Sequence, residues 1–193
     1  MPKISASSVV EHREQRRQQL MDAATSLALH DGAHAVTVSA VAQKAGLARS
    51  SVYEYFDSSA DLIAELIIEE MEYYSNRLDG AVKNITDPFE KIEQWIAEGL
   101  RYVADGRHML VKTLNAISTP ENRKDEIARG HIKMMSPLRD AIIATKVRDP
   151  RAASTYLQGV IDAASIRIDS GVDAETEIAQ ATTFALAGLK SML

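Results

Sequence analysis

A chain of 193 residues, 46% hydrophobic and 25% charged, has the composition of a globular protein, which excludes disorder as its default state. It contains no cysteine, which removes disulfide frameworks, thiolate zinc sites and cysteine nucleophiles and fits a reducing interior. The net charge is −5, but residues 1–57 hold six Lys or Arg against six Asp or Glu, so the whole acidic excess lies in residues 58–193. The N-terminal quarter is thus the relatively positive end of an acidic molecule, which permits a polyanionic partner without identifying one. The opening "MPKISASSVVEHREQRRQQL" has no apolar run for a signal sequence, and no 18-residue uncharged stretch follows. No membrane contact and a cytoplasmic location are expected.

Helical periodicity recurs almost everywhere, and only nine glycines and five prolines interrupt it. Leu20, Ala23, Ala24, Leu27 and Ala28 form the apolar stripe of a helix of about twenty residues. That helix stops near Gly32, read as a left-handed C-cap. Thr37 is an N-cap for a short helix with Val38, Val41, Ala42 and Ala45 on its apolar side, and Gly46 ends it. A third short helix carries Val52 and Phe56 on one side. Ser58, three residues before Asp61, resembles a capping box opening a long helix through Leu62, Leu66 and Tyr73.

Asp87-Pro88 starts the next helix, and another spans about Met109 to Ile117. A helix after "STPEN" is expected to be kinked or interrupted at Ser136-Pro137. Asp149-Pro150 and Asp173 open the last two. The sum is an all-α chain of about nine helices, with no sheet, no internal repeat and no low-complexity tract.

The stretch "VAQKAGLARSSVYEYF", Val41 to Phe56, joins two helices of about eight residues across a glycine turn, the helix-turn-helix pattern. Leu47 plugs the turn, and Val38, Val41, Ala42, Val52 and Phe56 bury. Ser50, Ser51 and Glu54 then point away from Val52 and Phe56, with Tyr53 and Tyr55 on the flanks and Arg49 at the leading end. Small serines let a backbone approach base edges in a major groove, an arginine can contact guanine or phosphate, and tyrosine hydroxyls reach phosphate oxygens. The same spacing also suits a surface helical hairpin whose polar face is only solvated.

"TVSAVAQKAGLARSSVYEYFDSSADL", Thr37 to Leu62, resembles the DNA-binding region of the TetR family of bacterial transcriptional regulators. The resemblance lies in Thr37, the pair Val41-Ala42, the turn Ala45-Gly46-Leu47 and the ending Tyr53-Glu54-Tyr55-Phe56. It covers about 50 residues, from Arg13 to Leu62, while the remainder matches only in length and helix count. It implies a DNA-binding domain at 1–57 and an effector-binding and dimerisation domain at 58–193. It also implies a sequence-specific transcriptional regulator, a repressor released from double-stranded operator DNA by a small-molecule effector.

Carried over by residue, Thr37 resembles a phosphate-contacting cap, Arg49, Ser50, Ser51 and Tyr53 fall at base- or backbone-reading positions, and Tyr55 at a phosphate-contacting one. Arg13, Arg16 and Arg17 form a basic run with Glu11 and Glu14 interleaved, equally suited to DNA backbone and to solvent. Two positions depart from the family. Ala48 stands where a capping Ser or Thr is usual. Ser59 stands where a phosphate-contacting Lys is common, and its hydroxyl is expected to bind phosphate instead.

A short reading helix covers few base pairs, so a homodimer is expected. The last two helices supply apolar stripes (Tyr156, Leu157, Val160, Ile161, Ala164, Ile168; Ile178, Ala181, Thr182, Ala185, Leu189) with small residues for close approach. The resemblance makes these a four-helix dimer interface; an intramolecular core is the alternative. It also implies an effector pocket within about residues 90–170, with Trp95, Tyr102, Met109, Thr113, Met134, Met135 and Ile166 as candidate lining. Methionines and aromatics at such spacing also make plain core.

Neither His108 nor His131 has a ligand-spaced partner, so no metal and no cofactor are expected. No nucleotide-binding, metalloprotease or nucleophile-elbow signature occurs, so no enzyme is expected. The rival reading is a helical dimeric ligand- or partner-binding module without DNA affinity.

Overall fold

The structure is a computed structural model that describes residues 6–115 and 119–193. Among the described residues no strand forms, and nine α-helices succeed one another. They are α1 (Ala6–Asp31), α2 (Val38–Ala45), α3 (Arg49–Val52), α4 (Ser59–Val82), α5 (Pro88–Ala104), α6 (His108–Leu114), α7 (Glu121–Ala144), α8 (Pro150–Asp169) and α9 (Ala174–Lys190). The all-α expectation holds. The helix expected to reach Ile117 is formed over α6, and Ala116 and Ile117 lie outside the described residues. No described helix is long and apolar enough to cross a membrane.

Side-chain caps set most helix starts. Asp87 Oδ1 accepts from Glu90 N–H at 2.8 Å, Asp149 Oδ1 from Ala152 N–H at 3.0 Å and Asp173 Oδ2 from Thr176 N–H at 2.9 Å. Each satisfies a backbone donor that the helix itself leaves unpaired. Of the kink or interruption expected at Ser136-Pro137, the interruption does not occur: α7 runs through it. Proline removes the N–H that would reach the Lys133 carbonyl, but Ser136 Oγ donates to that carbonyl at 2.8 Å and replaces the missing bond. Gly32 has positive φ, as expected, but its ψ of 166° is extended rather than left-handed helical.

The chain forms two compact units. The first runs through Glu69 and takes in Met109–Ile127; the second is Glu70–His108 with Ala128–Leu193. In the first unit α1 packs on α2, and α2 on α3. Leu20, Met21, Ala24 and Ala28 of α1 are buried, as are Val38, Val41 and Ala42 of α2, Val52 of α3, and Phe56. Burying each large apolar side chain contributes about 1.5–3 kcal/mol. That is ample to hold helices too short to persist alone.

In the second unit α5, α8 and α9 pack mutually. Leu78 and Val82 from α4 join Ile92, Ile96 and Leu100 from α5, Leu138 and Ile142 from α7, Leu157 from α8, and Ile178 and Leu189 from α9 in one core.

Candidate functional site

The α2–α3 pair is fixed from both ends of α2. Thr37 Oγ1 accepts from Ala40 N–H at 3.1 Å, as a Thr N-cap does. At the other end Gly46 adopts φ 68°, ψ 27°, the left-handed conformation that glycine takes without a Cβ penalty. Gly46 N–H then reaches the Gln43 carbonyl at 3.2 Å and Leu47 N–H the Ala42 carbonyl at 2.9 Å, the paired bonds of a Schellman motif. The turn therefore redirects the chain into α3 with its carbonyls satisfied.

α3 is shorter than the eight residues expected: it starts at Arg49, as expected, but stops at Val52. Ala48 is extended and offers no side-chain cap. Beyond Val52 the chain tightens: Tyr55 N–H and Phe56 N–H both reach the Val52 carbonyl at 3.0 Å. The sidedness survives this shortening. Val52 and Phe56 are buried, while Arg49, Ser50 and Glu54 are exposed and Tyr53 keeps 47% of its surface. Ser51 and Tyr55 are half-buried.

Arg49 Nη2 donates to the Tyr53 hydroxyl at 3.1 Å, with its guanidinium 5.8 Å from that ring. Arg13 lies 5.8 Å from the Tyr55 ring centroid, beside a cleft of about 530 Å³ lined by His12, Arg13, Arg16, Glu54 and Tyr55. A cation over an aromatic face is held without losing its charge.

Arg17 sits elsewhere. Its guanidinium meets Glu65 at 2.5 Å and Glu69 at 2.6 Å, both on α4. Arg123 of α7 takes the other Glu65 oxygen and Asp61 Oδ1, each at 2.6 Å. Burial alone would raise the Glu65 pKa, but hydrogen bonds from Arg123 and Arg17 outweigh it and hold the carboxyl below its ordinary value. The Arg17 pKa moves up: burial opposes this, and the bonds to Glu69 and Glu65 prevail. Any contact of Arg17 with DNA must therefore compete with two carboxylates. Ser58 Oγ caps α4 through Asp61 N–H at 3.0 Å, but Asp61 returns its carboxylate to Asp57 N–H, one residue outside the box expected.

In the second unit, Glu70 is a buried carboxylate that accepts from the Tyr102 hydroxyl at 3.0 Å and from Arg107 at 2.9 and 2.7 Å. Burial, then the adjacent Glu70 charge, push the Tyr102 phenol far up. Tyr74 stacks on Tyr102 with centroids 4.1 Å apart, and burial raises its phenol to about 12. Of the predicted pocket lining, Trp95 and Tyr102 are buried and Met134 and Met135 are packed against the core. Trp95 Nε1 and Ser75 Oγ are buried with no hydrogen-bond partner among the described residues. Ile166 is not enclosed: it is 66% exposed on α8. Met109, exposed, and Thr113, half-buried, belong to the first unit.

On α8 and α9 an apolar groove of about 720 Å³ is lined by Tyr156, Leu157, Val160, Ala164, Ala181, Phe184, Ala185 and Leu189, with Gly159 and Gly188 among the rest. Phe184, 70% exposed, and Tyr156 stand out of it. Of the eleven stripe residues expected at the interface, seven line this groove; Ile161, Ile168, Ile178 and Thr182 do not. Sequence reasoning missed Phe184 on the α8–α9 groove, Arg123 and Glu70. Phe184 carries a signal, an aromatic three residues after Ala181 on the same stripe; Arg123 and Glu70 carry none that is local.

Residues 20–66 match the family described as bacterial regulatory proteins, tetR family. The chain is 25% identical over 161 residues to the Fatty acid metabolism regulator protein of Bacillus subtilis (strain 168), across 79% of this chain and 83% of that one. It is 26% identical over 139 residues to the HTH-type transcriptional repressor KstR of Mycolicibacterium smegmatis, across 72% of this chain and 66% of that one. Among solved structures, the transcriptional regulator FadR from Bacillus subtilis in complex with stearoyl-CoA superposes with a TM-score of 0.71 at 24% identity, covering 89% of this chain and 98% of the other. That likeness shows a shared fold. The turn at Gly46 and the caps at Thr37 and Ser58 all fall within the stretch from Leu20 to Leu66, the part of the chain that matches the tetR family of bacterial regulatory proteins.

Proposed function

We propose that the protein is a sequence-specific DNA-binding transcriptional repressor that acts as a homodimer in the cytoplasm and leaves its operator when a small molecule binds. The observation that carries this reading is the sidedness of α3. Val52 and Phe56 anchor it inward while Arg49, Ser50 and Tyr53 stay open to a partner. By role, residues 1–57 read DNA and 58–193 bind effector and partner subunit. Arg49, Ser50, Ser51 and Tyr53 face the groove, and Thr37, Tyr55 and Arg13 face phosphate. Phosphate contacts hold register, and base contacts select sequence.

The effector is a largely apolar molecule. The core that holds Trp95, Met134 and Met135 supports this, because methionine adapts to flexible apolar shapes. A relative that regulates fatty acid metabolism and a fold neighbour carrying stearoyl-CoA make a long acyl chain the first class to test. The ligand shifts the repressor only as far as its affinities for the bound and released states differ.

A second reading, a helical dimeric module without DNA affinity, is favoured by the uncapped Ala48 and the net charge of −5. A gel shift on the DNA upstream of the protein's own coding region separates the two. The repressor retards that duplex selectively, and stearoyl-CoA releases it. Absence of retardation even at low salt supports the module.

A further inference from the structure

Ser59 stands where a phosphate-binding cation is usual, yet its hydroxyl is engaged inside the protein. Val38 N–H donates to Ser59 Oγ at 3.0 Å, across 21 residues of chain. Val38 opens α2, so its N–H is one of the four that no carbonyl of that helix can accept. Thr37 satisfies Ala40, and Ser59, the first residue of α4, satisfies Val38. Two hydroxyls from separate parts of the chain thus close the start of the helix on which α3 packs. The neighbouring Ser58 is occupied with α4 itself, through Asp61 N–H. A lysine at 59 would bring a cation and no acceptor, leaving Val38 N–H without this partner.

We propose that Ser59 is a positioning residue for DNA recognition. Its hydroxyl fastens the first turn of α4 to the first turn of α2 and so fixes the angle at which the α2–α3 pair presents Arg49, Ser50 and Tyr53. The inference rests on the DNA-binding reading above, and it puts an internal bond where the motif position suggests a phosphate contact. Any tilt of α4 is handed to α2 through this bond.

The test compares S59A, S59T and S59K with wild type on the duplex that wild type selects from a random-sequence pool. Thermal melts confirm that each variant folds. S59T keeps the acceptor and binds within about twofold of wild type, whereas S59A and S59K both bind at least about fivefold more weakly. In the same variants amide exchange at Val38 quickens in S59A and S59K and not in S59T. An S59K protein that binds as tightly as wild type or tighter, with a salt slope steeper by about 0.9, would instead mark a phosphate site. Undiminished binding by S59A, no rescue by S59T, or unchanged exchange at Val38 overturns the inference too. Wild type that selects no duplex sinks the DNA-binding reading itself. Wild type that binds while S59A binds equally well sinks only the positioning role.

Discussion

Arg49 donates from Nη2 to the Tyr53 hydroxyl at 3.1 Å, one helical turn away, on a surface that no other described side chain covers enough to bury. The bond places an arginine beforehand at the leading end of α3, so less side-chain freedom is lost when it meets a base or a phosphate. Arg49→Ala is expected to weaken operator binding by about 1–3 kcal/mol. Tyr53→Phe keeps the ring and removes the tether, for a loss of about 0.5–1.5 kcal/mol. Fluorescence anisotropy titrations of a labelled operator measure both. Equal affinities for both variants and wild type would remove the pair from the interface.

The start of α3 can be improved. Ala48 already has the extended backbone of an N-cap and lacks only the acceptor. Ala48→Ser should therefore stabilise the protein by about 1 kcal/mol. Gly46→Ala tests the other side of the turn: a Cβ there meets nothing within 4 Å, so its penalty is the left-handed backbone alone, about 1–2 kcal/mol. Urea unfolding midpoints should rise for the first variant and fall for the second.

How much of this was legible follows the range of each interaction. Thr37, Gly46 and Asp87 act on backbone groups within three or four residues, so their roles are written locally in the sequence. The same holds for the burial of Val52 and Phe56, which follows from helical spacing. The bond from Val38 to Ser59 crosses 21 residues and that from Arg123 to Glu65 crosses 58, and no periodicity links them. The shortness of α3 lies between these cases. Its uncapped start was readable at Ala48, but the tightening at Tyr55 depends on how Phe56 reaches the core. Tyr156 lies on its apolar stripe, yet a stripe does not say whether it faces the protomer's core or its surface.

The Glu65 carboxylate, shared by Arg17 and Arg123, makes the first unit acid-sensitive. Its pKa is lower in the folded protein than in the unfolded chain, so the folded state binds fewer protons. Its stabilisation is complete above the ordinary carboxylate range and is lost as pH falls through the folded value. Thermal melts from neutral pH down to about pH 3 should show wild type losing stability where Glu65→Gln changes less. At neutral pH Arg123→Ala should cost about 1–2 kcal/mol, discounted for partial exposure, since it leaves Asp61 and Glu65 with one partner fewer. A variant as stable as wild type would show that the pairs are solvent-screened.

Phe184 and Tyr156 stand exposed beside the α8–α9 groove. Apolar aromatics of this kind are typical anchors of subunit interfaces. Phe184→Glu should halve the mass seen by light scattering and, with it, abolish tight operator binding. A dimer that persists would move the interface to another face.

The claim on which the rest depends is that the open side of α3 lies in a major groove. Methylation protection at guanine N7 reports that groove directly, because N7 lies on its floor. On the selected operator, wild type should protect guanines in two patches about 34–36 Å apart or a multiple of it, one for each subunit. Arg49→Ala should lose guanines from both patches. Binding that protects no guanine, or protection identical in the variant, would contradict the account.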